Sequence, residues 1–242
     1  MSLMCGTMLS EIPFARMPLI FKNSGMDFII IDCEHGGFCE RSLADIIIVA
    51  KLVGLSTIIR LPDNTRRNII QYLDMGADGL LLPMTDDVAE IAQVVKYAKY
   101  TPLGERGVST MRAHTLYNPG NIAEYTVQAN HHTKIYAQIE TANGLKNAER
   151  IIRFKGVDGL ILGPNDLSFD VKCLFSGEKE PIVNAIKELG MLSALGTIGI
   201  ITGDEEYLCT AKKCGYQLLC KGSELHILKS GAEKIINDLK NI

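Results

Sequence analysis

The sequence has no tryptophan, no CxxC pair and no surplus of positive charge. Lys and Arg number 25 against 28 Asp and Glu, a formal net charge of −3, so no basic face points to nucleic acid. No apolar run approaches the roughly 20 residues that span a bilayer, so no membrane partner is expected. The N-terminus lacks a basic stretch followed by an apolar one; a secretory signal is not expected, and the cytoplasm is the expected compartment. The seven cysteines (Cys5, Cys33, Cys39, Cys173, Cys209, Cys214, Cys220) are odd in number and scattered in spacing. They read as reduced thiols, several buried as small hydrophobes, with a zinc–thiolate site as the minor alternative.

What is present is a rhythm. Short β-branched runs are predicted as strands at Cys5–Leu9, Asp27–Ile31, Thr57–Arg60, Gly79–Leu82, Lys134–Ile139, Gly159–Leu162, Thr197–Ile201 and Gln217–Cys220. Helical patterns fall between them at Ser42–Val53, Thr65–Met75, Asp87–Tyr97, Asn143–Phe154, Pro181–Leu189 and Asp204–Lys213. Runs such as Phe28-Ile29-Ile30-Ile31 suit strands buried on both faces, and strand–helix alternation on this scale predicts an α/β fold with a parallel sheet. Met75-Gly76-Ala77-Asp78-Gly79-Leu80 is echoed by Lys155-Gly156-Val157-Asp158-Gly159-Leu160: a helix ending at glycine, a short turn, then a strand. The 242 residues match the roughly 250 of one (β/α)8 TIM barrel, and no linker divides them, so a single domain over 1–242 is expected. Residues 100–133, with Pro102, Gly104, Gly107, Pro119 and Gly120, break the rhythm and read as an excursion over one end of the barrel.

Barrel enzymes place their chemistry at the C-terminal ends of strands. After the second strand comes Asp32-Cys33-Glu34-His35-Gly36-Gly37, where an acid three residues before a histidine can orient the imidazole. A histidine with a purely structural role fits that position equally. Arg60, closing the third strand, is a fork for a carboxylate or a tie for the protein's own loops. On the fifth strand, alternation turns Gln138 and Glu140 to the inside. A lone buried carboxylate costs several kcal/mol (an order of magnitude), so Glu140 needs a partner: a metal ion, or a buried salt bridge. Asp166, after the sixth strand in Gly163-Pro164-Asn165-Asp166-Leu167-Ser168, is expected beside Glu140. Paired carboxylates repel unless a cation or a proton intervenes, and oxygen-only ligation suits Mg²⁺ or Mn²⁺. Asp166 as a helix N-cap is the other reading.

Taken in order, these motifs resemble the HpcH/HpaI aldolase family. They are Asp32-Cys33-Glu34-His35-Gly36, Arg60-Leu61-Pro62, Gly76–Met84, Gly104-Glu105-Arg106-Gly107, Gln138-Ile139-Glu140-Thr141 and Gly163–Ser168, and the similarity extends from about Gly6 to Ile227. The resemblance implies a phosphoenolpyruvate/pyruvate-type TIM barrel, in hexamers built as trimers of dimers that exchange the last helix. It implies a divalent metal (Mg²⁺ or Mn²⁺, with Co²⁺ as a further option) on Glu140 and Asp166, chelated by pyruvate. Arg60 then stabilises the enolate oxygen, His35 paired with Asp32 transfers protons, and Gln138 positions substrate or water. Gly163, Pro164 and Asn165 complete the substrate-binding surface. The implied reaction is reversible aldol cleavage of a 2-keto-4-hydroxy acid to pyruvate and an aldehyde, without a Schiff-base lysine. An acyl-CoA lyase of the citrate-lyase kind and a non-catalytic barrel subunit are the alternatives. The chain departs from the family pattern at Lys221 and Glu224, at Asp170–Glu180 and around Arg112–Asn118, and these are where the aldehyde acceptor is expected.

Overall fold

A computed structural model describes residues 2–242. Eight parallel strands pair in sequence order and close on themselves: β1 Met4–Leu9, β2 Phe28–Asp32, β3 Ser56–Arg60, β4 Gly79–Leu82, β5 Lys134–Ile139, β6 Gly159–Leu162, β7 Thr197–Thr202 and β8 Leu218–Ser223. The alternation and handedness that drive this closure are those of repeated βαβ units. Helices cover the outside: α1 Met17–Asn23, α2 Glu40–Val53, α3 Arg66–Met75, α4 Val88–Ala98, α5 Ile122–His132, α6 Ala142–Ile152, α7 Pro164–Asp170, α8 Cys173–Ser176, α9 Glu180–Gly190, α10 Glu205–Lys213 and α11 Glu224–Lys240. The chain is therefore a (β/α)8 TIM barrel, and every predicted strand is present within one to three residues at each end.

Strand periodicity divides the core in two. Phe28, Ile30, Ile58, Leu81, Tyr136, Ile161, Leu218 and Cys220 point inward and fill the barrel. Ile29, Ile31, Ile59, Leu80, Leu82, Ala137 and Ile139 point outward into the layer shared with the helices. Each large side chain so buried contributes about 1.5–3 kcal/mol before entropy is subtracted. The inward register of Phe28 and Ile30 continues to Asp32, that of Ile58 to Arg60, and that of Tyr136 to Gln138 and Glu140. The strands that build the core thus deliver their next inward residue, a polar one, to the C-terminal mouth.

Helices α1, α5, α7, α8 and α11 were not expected from periodicity. α5 lies inside the excursion and is fixed by Asn121, whose side chain accepts from the backbone N–H groups of Ala123 and Glu124. Asp170–Glu180 contains the end of α7 and all of α8, and Gly177, Glu178 and Lys179 line the mouth cavity. Arg112–Asn118 is placed differently from expectation. His114 lines a cavity with the strand-start residues Met4, Ser56 and Gly79, so this stretch stands at the N-terminal end of the barrel, opposite Glu140. All seven cysteines are free thiols, Cys173 and Cys220 being buried. Among the described residues no helix is long and apolar enough to cross a membrane.

Candidate active site

The register between β2 and β3 sets Asp32 directly opposite Arg60. Arg60 Nε donates to Asp32 Oδ1 at 3.0 Å and Arg60 Nη2 donates to Oδ2 at 2.7 Å, a buried two-pronged pair. Asp32 Oδ1 also accepts from the backbone N–H groups of Glu34 (3.1 Å) and His35 (3.2 Å). Burial raises the Asp32 pKa, but the Arg60 bond, its charge and the two N–H groups outweigh it and hold the carboxyl below its usual range. The turn that follows requires Gly36, where a Cβ would stand 2.1 Å from the Asp32 carbonyl oxygen.

The histidine geometry departs from the expected pairing. The Asp32 carboxylate is engaged by Arg60 and by backbone N–H groups, and among the described residues no hydrogen bond joins it to the His35 ring. The imidazole instead lies 3.8 Å from Glu34, through Nε2, and is 73% exposed. Glu34 also lies 3.4 Å from Arg60 Nε. Burial raises the Glu34 pKa, Arg60 and His35 lower it, and Asp32 and Asp166 raise it further, for a net upward shift. In the sequence Glu34 stands out only as part of the Asp32–Gly37 motif; its signal is an acid in the strand-end turn, next to the histidine.

Glu140 directly follows β5 and is almost fully buried. Gln138 Nε2 donates to its Oε1 at 2.6 Å, and the backbone N–H of Met84 donates to Oε2 at 2.9 Å. Met84 adopts φ 48°, a left-handed conformation costly for a non-glycine residue, and thereby presents its N–H to Glu140. No arginine or lysine makes a salt bridge to Glu140 among the described residues. Burial, chiefly, pushes its pKa up to about 7; Met84 N–H and Arg60 oppose this, while Asp166 and Glu34 add to it. Gly163 completes the cradle, because a Cβ there would meet Glu140 Oε1 at 2.5 Å. Asp166 lies in the first turn of α7, whose N-cap is Gly163, so the N-cap reading of Asp166 is replaced by an exposed carboxylate near the helix start.

The structure thus brings Asp32, Arg60, Gln138 and Glu140 to one end of the barrel. A cavity of about 630 Å³ opens there, bordered by Asp32, Arg60, Pro164 and Asn165. The departures at the last strand have structural occupations. Lys221 pairs with Glu205 at 2.8 Å on the surface. Glu224 is buried, and its Oε1 accepts from the backbone N–H groups of Ser10 (3.0 Å), Glu11 (2.6 Å) and Ile12 (3.1 Å).

Among the described residues no group of three or more His, Cys, Asp or Glu forms a ready metal cluster. The oxygens that could serve a cation are the carboxylates of Glu140 and Asp166, and beside Glu140 lies Gln138, whose Oε1 is buried without a hydrogen-bond partner. A buried acid lacking a cationic partner and an orphaned amide oxygen beside it are the complement of a hard divalent cation that keeps water or substrate oxygens.

A closed parallel barrel with an arginine–aspartate fork and a buried glutamate at its C-terminal mouth has the build of a barrel enzyme. The HpcH/HpaI aldolase/citrate lyase family model matches residues 14–226. The hydroxypyruvate/pyruvate aldolase of Roseobacter denitrificans is 31% identical, over 89% of this chain and 85% of that protein. The 2-dehydro-3,6-dideoxy-6-sulfogluconate aldolase of Pseudomonas putida is 29% identical, over 90% and 85% respectively. The crystal structure of an HpcH/HpaI aldolase from Desulfitobacterium hafniense superposes with a TM-score of 0.92 at 29% identity, covering 100% of this chain and 94% of that one. The chain belongs to the HpcH/HpaI aldolase/citrate lyase family, and with it to the aldolase-type carbon–carbon lyases.

Proposed function

We propose that the protein catalyses reversible aldol cleavage of a 2-keto-4-hydroxy acid to pyruvate and an aldehyde, with a divalent cation held by Glu140 and Asp166. The observation that carries this reading is Glu140: a buried carboxylate, pushed up to about 7, whose only direct hydrogen-bond partners among the described residues are the Gln138 amide and the Met84 N–H. A cation bound there supplies Lewis acidity toward the keto oxygen, making the adjacent C3 carbon a competent carbanion site.

The chain's own residues do the rest. Arg60, locked in one orientation by Asp32, offers a fixed positive charge at the mouth and stabilises negative charge on the substrate's oxygens. In cleavage the C4 hydroxyl gives up its proton, the C3–C4 bond breaks, and the enolate of pyruvate takes a proton at C3. His35 transfers these protons at Nε2, with Glu34 as its neighbouring carboxylate. Gln138 Oε1 receives the hydrogen bond of a bound water or substrate hydroxyl. Pro164 and Asn165 border the space for the substrate.

The test is direct. Protein loaded with Mn²⁺ or Mg²⁺ is expected to release pyruvate from members of a panel of 2-keto-4-hydroxy acids and to exchange the methyl protons of pyruvate for deuterium. Failure of both rejects the reading.

A homo-oligomer is also proposed, a hexamer in line with the family. It is supported by the apolar residues Leu228, Ile235 and Leu239 of α11, which stay largely exposed. Light scattering of the purified chain checks it, and a monomer at micromolar concentration sinks it.

A further inference from the structure

The N-terminal end of the barrel holds a second cavity, of about 550 Å³, remote from the mouth. One side is the underside of the barrel core: Met4, Phe28, Ile58 and Leu218, the inward residues nearest the strand starts. The other side comes from the excursion and α5, with Arg106, Tyr125 and Gln128. Small-ligand pockets span about 300–1,000 Å³, so the volume suits one compact molecule.

The polar wall is unevenly satisfied. Tyr125 O–H donates to His114 Nδ1 at 2.5 Å, and His114 Nε2 donates to the Ser109 carbonyl at 3.1 Å. That pair is closed within the chain. Arg106 is not. Its Nη2 donates to Asp74 at 2.8 Å and its guanidinium stacks on Tyr100 at 5.0 Å, yet its buried Nε has no acceptor. The charged groups around it are otherwise paired. Lys51 faces Asp78 (3.7 Å), Lys99 and Lys134 share Asp158 (3.5 and 3.1 Å), and Arg106 has Asp74. Each cation lining the cavity, Lys51, Lys134 and Arg106, thus has a carboxylate, and Arg106 Nε is the buried donor left open.

We propose that this cavity is a binding site for an apolar monocarboxylate. Its carboxylate meets the Arg106 end and its hydrocarbon body packs on Met4, Phe28, Ile58 and Leu218. An apolar floor rejects a polyhydroxylated acid, and the open buried donor, Arg106 Nε, suits one carboxylate better than two. The site is independent of the aldol reaction proposed for the mouth.

Calorimetric titration of the full chain with benzoate, cinnamate and hexanoate, each against its neutral amide and each repeated in saturating pyruvate, tests this. At least one carboxylate is expected to bind about tenfold tighter than its amide, a difference of about 1.4 kcal/mol, with or without pyruvate. Gln128→Trp, on the exposed face of α5 at the cavity rim, is expected to weaken that binding at least about tenfold without lowering Tm. Arg106→Gln is expected to remove the preference for carboxylate over amide. No binding by any of the three acids, binding abolished by pyruvate, or binding undiminished in Gln128→Trp overturns the proposal. The Trp variant decides the matter even if Arg106→Gln fails to fold.

Discussion

Asp32 and Arg60 occupy the same level on adjacent strands and grip each other through two hydrogen bonds, at 3.0 and 2.7 Å. Asp32→Ala leaves a buried guanidinium without its anion, and removing one partner of a buried pair costs about 3–5 kcal/mol. Asp32→Asn keeps one acceptor and is expected to lose less stability but to lower turnover by freeing the Arg60 fork. The folded Asp32 pKa is held below its ordinary 3.8, so its contribution is present above that pH and lost as pH falls through the folded value. Urea denaturation between pH 2 and 6 is expected to show this acid-side loss in the parent and not in Asp32→Asn; superimposable profiles would contradict it.

Glu140 predicts the opposite sign. Its pKa is raised from 4.5 to about 7, chiefly by burial, so the folded, cation-free protein binds the extra proton and loses stability as pH rises through that window. A cation at Glu140 displaces the proton. Mn²⁺ affinity, followed by electron paramagnetic resonance, is expected to rise by up to about tenfold per pH unit below 7 and to level off above it. A flat profile from pH 5.5 to 8.5 rejects this assignment.

The carboxylates and the histidine separate under mutation. Glu140→Ala and Asp166→Ala are expected to weaken Mn²⁺ binding itself. His35→Ala, with its imidazole exposed and 3.8 Å from Glu34, is expected to lower turnover while leaving Mn²⁺ affinity within about twofold. Equal Mn²⁺ affinity in all three variants would be fatal to the division of roles. Glu34→Gln adds a finer test: it is expected to shift the pH–rate profile of the parent, and an unchanged profile removes Glu34 from the proton-transfer pair.

Gly163→Ala places a methyl group 2.5 Å from Glu140 Oε1. Overpacking of this kind costs about 1–3 kcal/mol, and here it displaces a proposed ligand rather than a core atom. Mn²⁺ affinity is expected to fall by more than the change in Tm explains. Intact Mn²⁺ affinity in a folded Gly163→Ala protein would show that the cradle is wider than its geometry indicates.

The inward polar residues were legible because strand alternation is rigid: once Phe28-Ile29-Ile30-Ile31 and Ala137-Gln138-Ile139-Glu140 are strands, Asp32 and Glu140 must face the mouth. The partner of each was not legible. Asp32 stands three residues from His35 in sequence, and that spacing suggested a dyad. Arg60, 28 residues away, reaches it first because parallel register sets the two at one level. Met84 was invisible as a contributor because its role is carried by a backbone N–H turned by an unusual φ, which no side-chain pattern encodes. Helix α5 was hidden by Pro119 and Gly120, which read as loop although they end just before its Asn121 cap. Lys221 and Glu224 looked like ligand-facing departures; their partners, Glu205 and the Ser10–Ile12 backbone, belong to other turns of the chain.

The Glu224 carboxylate, seated on the N–H groups of Ser10, Glu11 and Ile12, joins positions more than 200 residues apart. It works as a clasp on a belt: β1 is made first and β8 last, and the ring is fastened only when the two meet. Asp32, Arg60, Gln138 and Glu140 all precede Glu224 in the chain, and the full mouth is expected to reach its final geometry only once the ring is closed. Glu224→Ala removes the acceptor of several part-buried N–H groups, each loss costing about 1 kcal/mol. Its effect is expected to reach Arg60 and Glu140, which it never touches, as a slower recovery of Mn²⁺ binding during refolding than of far-ultraviolet circular dichroism.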